Sequence, residues 1–176
     1  MATHDELTQL PNRAVFCDGL RNALECCAST GGTFAVAFID IDDFKIVNDS
    51  IGHAAGDNLL KEMAVRLTTA AGPNAILSRF GGDEFTLLLE NTDEAAAAAT
   101  AQRIIESLRQ PIMVSDFEIY SGVSIGIAMH PAHGSDISTL LQNADSAMYH
   151  AKEQGKNTYS FFNDDLQIKA AIQLQV

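Results

Sequence analysis

Acidic residues gather at two points of the chain where they could hold a hard cation. The first is Asp40-Ile41-Asp42-Asp43, at the end of the apolar run from Phe34 to Ile39. In an extended strand, Asp40 and Asp42 share one face and Ile41 takes the other. Neighbouring carboxylates without a counter-charge repel by ~4 kcal/mol at 4 Å and an effective dielectric of 20. A divalent cation removes that repulsion. The second point is Gly81-Gly82-Asp83-Glu84-Phe85. Glycines serve any tight turn, but turn geometry does not demand two acids set straight into it. The missing Cβ atoms also let a ligand lie against the backbone. An acid here facing Asp40 would complete an oxygen site suited to Mg2+, which takes one or two carboxylates plus phosphate oxygens.

A phosphate ligand needs cations, and the formal charge of −12 leaves no basic surface for a polyanion such as nucleic acid. The cations must therefore be local. Lys152 and Lys156 lie four apart at the end of the last expected helix, where they also suit its dipole. If Phe44-Lys45-Ile46-Val47-Asn48-Asp49 is helical, its free N–H groups face the strand end and can hold phosphate. Lys45 and Asn48 would then share a face. Asp57, after the Gly52-His53 break, reads equally well as an N-cap of the next helix. His130 and His133 read as loop residues. The spacings GxxxxGK[ST], GxGxxG and HExxH are absent from the sequence.

The elements that would position these groups follow from periodicity. Phe16, Leu20, Ala23, Leu24 and Cys27 recur at helical spacing after a capping Asn12. Phe34 to Ile39 is apolar throughout, as a strand covered on both faces should be. Leu60, Met63, Ala64 and Leu67 mark a second helical face. Runs 75–80 and 84–89 form a hairpin about the glycines, and the alanine-rich run 93–109 is helical. Runs 112–114, 119–120 and 123–129 read as strands, and 137–154 as a last helix with Gly155 at its cap. The expectation is an α/β (α+β) domain: a mixed sheet of about five strands, flanked by helices, with an inserted hairpin.

At 176 residues with 47% hydrophobic and 19% charged residues, the chain has the composition of one globular domain. Cys17, Cys26 and Cys27 form no CxxC pair and read as reduced thiols. No apolar run is long enough to cross a membrane, and the start lacks a signal-peptide pattern. A cytoplasmic setting is expected, within a full-length protein that could still be membrane-anchored.

In order along the chain, the motifs resemble the GGDEF family. They are Asp5-Glu6-Leu7-Thr8-Gln9-Leu10-Pro11-Asn12-Arg13, Asp40-Ile41-Asp42-Asp43-Phe44-Lys45, Asn48-Asp49 with Gly52-His53 and Gly56-Asp57, and Arg79-Phe80-Gly81-Gly82-Asp83-Glu84-Phe85. Ser124-Ile125-Gly126-Ile127, Ala144-Asp145 with Met148-Tyr149, and Ala151-Lys152 with Gly155-Lys156-Asn157 complete the set. The resemblance implies a fold like that of the class III nucleotidyl cyclases and a diguanylate cyclase activity. Two GTP molecules, one on each subunit of an antiparallel homodimer, would become cyclic di-GMP and two pyrophosphates.

It further implies Mg2+ or Mn2+, at most two per nucleotide site, on Asp40, the Ile41 carbonyl, Asp83 and Glu84. Glu84 would alternatively help to deprotonate the ribose 3′-OH, and Lys45 would join Asp83 and Glu84 as a catalytic group. Asn48 and Asp57 would read guanine. The N–H groups of Asp43 and Phe44, with Gly82, Lys45, Lys152 and Lys156, would surround the phosphates. The family's RxxD product-inhibition motif falls here on Gly72-Pro73-Asn74-Ala75, so feedback through that site is not expected. Lys156 stands where the family often has Arg, which keeps the charge but not bidentate contact. Residues 1–162 would be the catalytic domain. Residues 163–176 would begin a linker helix to a downstream EAL phosphodiesterase domain, with a sensor upstream; a catalytically weak, GTP-binding module regulating that EAL domain is the alternative.

Overall fold

The computed structural model describes residues 2–163. In chain order the elements are α1 (Arg13–Thr30), β1 (Phe34–Ile41), α2 (Phe44–Ile51), α3 (His53–Ala71), β2 (Ala75–Gly81), β3 (Glu84–Leu89), α4 (Glu94–Ser107), β4 (Ile112–Val114), β5 (Phe117–Ile119), β6 (Val123–His130), α5 (Ile137–Glu153) and β7 (Thr158–Phe161). The expected linker helix lies outside the described residues, apart from Asn163.

β1 sits in the middle of a five-stranded sheet of order β2-β3-β1-β6-β7. Its eight residues are all buried, because helices cover both faces and a strand so placed must be apolar throughout. On one face Ala37, Ile39 and Phe85 pack against Leu59, Met63 and Leu67 of α3 and Ile104 of α4. On the other, Phe34, Val36 and Phe38 meet Phe16 and Leu20 of α1 and Leu140 and Ala144 of α5. β1 pairs antiparallel with β3 and β6. β7 runs parallel to β6, so the sheet is mixed, as expected. α1 begins and ends on its signals: Asn12 accepts from the Val15 N–H, and left-handed Gly31 (φ 72°) donates back to Cys27.

Three expectations are corrected. β1 runs on to Ile41 instead of stopping at Ile39, which places Asp40 inside the sheet. β4 and β5 pair only with each other and form a separate two-stranded sheet. β7 is absent from the expected elements, although Tyr159 and Phe161 alternate with Thr158 and Ser160 and pack against the core; it pairs with β6 over four residues.

α5 lies directly on β6. A Cβ added to Gly126 would stand 2.0 Å from the Met148 nitrogen and 2.1 Å from the Ala144 oxygen, so the helix backbone occupies the space a side chain would need. This contact fixes how far residues at the end of α5 reach over the sheet. Among the described residues no helix is long and apolar enough to cross a membrane, and the three cysteines are free thiols.

Candidate functional site

The register of the sheet brings the two acidic points together. Asp40 stands opposite Glu84 on β3 and Ser124 on β6. The hairpin turns at Gly82, whose φ of 51° is left-handed and suits glycine. The Ile41 N–H donates to the Asp83 carbonyl at 3.2 Å, which ties the hairpin tip to the end of β1. Arg79 holds the tip from behind. Its Nε and Nη2 donate to the Gly82 carbonyl at 3.0 and 2.8 Å, and Nη1 donates to both Asp5 oxygens at 3.0 and 3.1 Å. Burial pushes the Asp5 carboxyl up, but bonds from the Thr8 N–H and hydroxyl, together with Arg79, outweigh it and hold it below the usual range. Nothing in the spacing reveals this brace, since 74 residues separate its partners.

Asp40 is only 5% exposed. Its Oδ2 accepts from the Lys152 ammonium, whereas Oδ1 is buried with no hydrogen-bond partner. Burial raises its carboxyl, and the adjacent Asp83 carboxylate adds to that rise. Together they outweigh Lys152 and bring the Asp40 pKa up to about 7. Burial likewise raises Glu84, helped by the charges of Asp145 and Asp83 and opposed by Lys152. Asp145 itself is raised by burial against the pull of Lys152; it faces the site from α5 and was not among the candidate residues. Burial disfavours the charged form of Lys152, but its bond to Asp40 and the charges of Asp40, Asp83 and Asp42 prevail and raise it.

This donor set fits a hard divalent cation. A buried, half-satisfied carboxylate beside a second carboxylate is an arrangement that a cation relieves. Among the described residues the acids do not form a group of three or more donors able to hold an ion unaided. A pair of carboxylates matches an ion that takes its remaining oxygens from phosphate and water.

The raised Asp40 pKa has a signed consequence. Between its ordinary 3.8 and about 7 the folded protein holds more protons than the unfolded chain. Stability therefore falls as pH rises through that window. Without nucleotide or metal, the melting temperature is expected to drop between pH 5 and 8, and Asp40→Asn to flatten that slope. A parent profile as flat as the variant's would mean Asp40 is ionised throughout.

Asp43 enters α2 from a left-handed backbone (φ 57°) and makes no side-chain cap bond. Its carboxylate accepts from the Lys156 ammonium at 2.6 Å. Each of the two late lysines thus rests on an acid of the first cluster. Lys45 is exposed on α2 with no partner among the described residues. Asp42, grouped in the sequence with Asp40, turns elsewhere and accepts from Ser124 and the Asn157 backbone.

The α2–α3 corner settles the double reading of Asp57. α3 begins at His53 behind Gly52, with no side-chain cap, so Asp57 lies in the helix and caps nothing. Gly56 beside it makes room for Asn48: a Cβ there would stand 1.8 Å from Asn48 Oδ1. The Asn48 amide is thereby seated against buried Gly56, one residue before exposed Asp57.

A family model described as diguanylate cyclase, GGDEF domain, matches residues 2–158. Over 176 residues the chain is 43% identical to the bifunctional diguanylate cyclase/cyclic di-GMP phosphodiesterase MucR of Pseudomonas aeruginosa, covering 100% of this chain and 26% of that protein. Over 166 residues it is 37% identical to the cyclic di-GMP phosphodiesterase PdeR of Escherichia coli, covering 94% of this chain and 25% of that protein. The chain therefore spans about a quarter of these relatives. The solved structure of the isolated GGDEF domain of Pseudomonas aeruginosa TpbB is similar with a TM-score of 0.92 and 39% identity, covering 96% of this chain and 99% of that one.

Proposed function

The chain belongs to the GGDEF family, and we propose that it works as a diguanylate cyclase domain that joins two GTP molecules into cyclic di-GMP and releases two pyrophosphates. The observation that carries this reading is the meeting of Asp83 with buried, half-satisfied Asp40 at the end of the central strand. Mg2+ or Mn2+ held by Asp40, Asp83 and the Ile41 carbonyl would neutralise phosphate charge and lower the pKa of the attacking hydroxyl. Lys152, Lys156 and Lys45 bind the phosphates, with the N–H groups of Asp43 and Phe44 and the backbone at Gly82. Glu84, its carboxyl raised by its surroundings, takes the proton of the ribose 3′-OH. That oxygen bonds to the α-phosphorus of the nucleotide on the facing subunit, and the bond to pyrophosphate breaks. Two such transfers across an antiparallel dimer close the ring. Residues 1–162 form this unit in a longer protein with an upstream sensor and a downstream EAL domain, on the cytoplasmic side.

Asn48 and Asp57 select the base. Guanine offers its N1–H and amino group to a carboxylate, whereas adenine offers an acceptor. The mismatch costs about 1–3 kcal/mol. Asp57→Ala is expected to reduce the preference for GTP over ATP by roughly tenfold or more in paired binding titrations. An unchanged preference would remove Asp57 from base recognition.

The test of the reading is incubation with GTP and Mg2+ or Mn2+ at several protein concentrations, measuring pyrophosphate and cyclic di-GMP. The expected rate rises more steeply than in proportion to protein, because each product needs two subunits. The similarity to PdeR, a protein named a phosphodiesterase, favours one rival: a GTP-binding module that regulates an attached EAL domain. Tight GTP binding without product at the highest concentrations would overturn the cyclase reading and favour that rival.

A further inference from the structure

Asp42 has a different task from its neighbour Asp40. Its Oδ1 accepts from the hydroxyl of fully buried Ser124 at 2.6 Å, and its Oδ2 accepts from the Asn157 backbone N–H at 2.8 Å. Its own N–H donates to the Gly122 carbonyl at 3.0 Å. One side chain thus joins the end of β1, the start of β6 and the turn between α5 and β7. That turn is unusual. Lys156 and Asn157 are consecutive non-glycine residues at φ 65° and 48°, a left-handed backbone that residues other than glycine seldom adopt and that surroundings must enforce. The Asn157 side chain completes the fixture by lying over Gly122, where an added Cβ would stand 2.5 Å from its Oδ1. Held in this way, the turn presents the Lys156 ammonium to Asp43 at the start of α2.

We infer that Asp42 is a positioning residue: its carboxylate holds the 156–157 turn in its left-handed form and so aims Lys156 at the terminal phosphates of the nucleotide. The inference rests on the proposed GTP-binding role of Lys156. It separates the two aspartates of one motif by function, Asp40 toward the cation and Asp42 toward the lysine. Hydrogen bonding carries the effect, not charge. Asparagine at position 42 can still offer its carbonyl to the Asn157 N–H while its amide donates to the Ser124 oxygen.

Calorimetric titration with GTP, GDP and GMP in the presence of Mg2+ tests this on the parent, Asp42→Ala, Asp42→Asn, Lys156→Met and the Asp42→Ala/Lys156→Met double variant. Asp42→Ala is expected to weaken GTP binding on the order of tenfold and to leave GMP binding nearly unchanged. Asp42→Asn should bind GTP within about threefold of the parent, and the double variant no more weakly than Lys156→Met alone. Equal losses for all three nucleotides, additive losses in the double variant, or an Asp42→Asn defect as large as that of Asp42→Ala would each overturn the inference. If Asp42→Ala does not fold, an Asp42→Asn loss of roughly tenfold or more for GTP overturns the inference, and amide exchange at Asn157 supplies the second readout.

Amide exchange at Asn157 tests the bracket without nucleotide. It is expected to be slow in the parent and in Asp42→Asn. Fast exchange in the folded parent would overturn the bracket itself. Slow exchange with no GTP binding by the parent would instead locate the failure in the proposed function.

Discussion

Asp83→Ala is expected to lower cyclic di-GMP formation by about three orders of magnitude or more, the scale of losing a principal charge-stabilising group, while leaving the domain at least as stable as the parent. The two halves of this expectation come from different atoms. The structural bond from the Ile41 N–H goes to the Asp83 main-chain carbonyl, which alanine keeps. The carboxylate, by contrast, is a source of repulsion that helps raise Asp40. Removing it lets Asp40 ionise more easily against Lys152 and relieves the empty-handed protein of a like-charge contact. Turnover assays and thermal melts on the same preparation check both. Activity within tenfold of the parent would take Asp83 out of the reaction, and a markedly lower melting temperature would mean its side chain supports the hairpin.

Lys152→Met is expected to change the binding of metal and of nucleotide in opposite directions. Before any ligand arrives, the Lys152 ammonium rests on the Asp40 carboxylate that a divalent ion would use, so the ion must displace a cation to enter. A nucleotide arriving with the ion removes the conflict, because the lysine can move to the phosphates as the ion takes the acid. Unit charges at 4 Å interact by ~4 kcal/mol at an effective dielectric of 20, so the exchange is large on the scale of binding. In the variant, Mn2+ alone should bind roughly tenfold more tightly and GTP at least roughly tenfold more weakly. The mutual enhancement of the two ligands should shrink by the same factor whichever is titrated first. Mn2+ binding followed by electron paramagnetic resonance over a range of alkaline pH reads this directly, because Lys152 also lowers the Asp40 carboxyl and its removal lets protons compete to higher pH. Weaker binding of Mn2+ alone in Lys152→Met would show that the lysine does not occupy the ion's place.

What the sequence reveals and conceals at this site divides along physical lines. Local signals translate well: Asn12 and Gly31 bound α1, and the glycine hairpin forms where two acids and two apolar runs place it. The approach of Asp40 to Asp83 is also foreseen, since a central strand and its hairpin neighbour leave few other registers. Contacts that depend on chain return are concealed. β7 is four half-buried residues paired with β6, and β4–β5 look like sheet strands although they pair only with one another. The brace from Asp5 to Arg79 and the contribution of Asp145 likewise need three dimensions. Asp57 was ambiguous because capping depends on where a helix starts, and α3 starts a turn earlier than its acid. Asp42 shares a strand face with Asp40 by alternation, but the strand ends at Ile41, and beyond it that rule has no force.

The seat of α5 on Gly126 gives the site a hard mechanical stop. The height at which Lys152 hangs over the sheet is set by main chain meeting main chain, not by the size of the apolar side chains between them. Drift in those side chains can accumulate around the fold while the ammonium stays in register with its acid. One methyl group at position 126 would press the helix outward at Ala144, Ala147 and Met148, and Lys152, one turn beyond, would lose its mark.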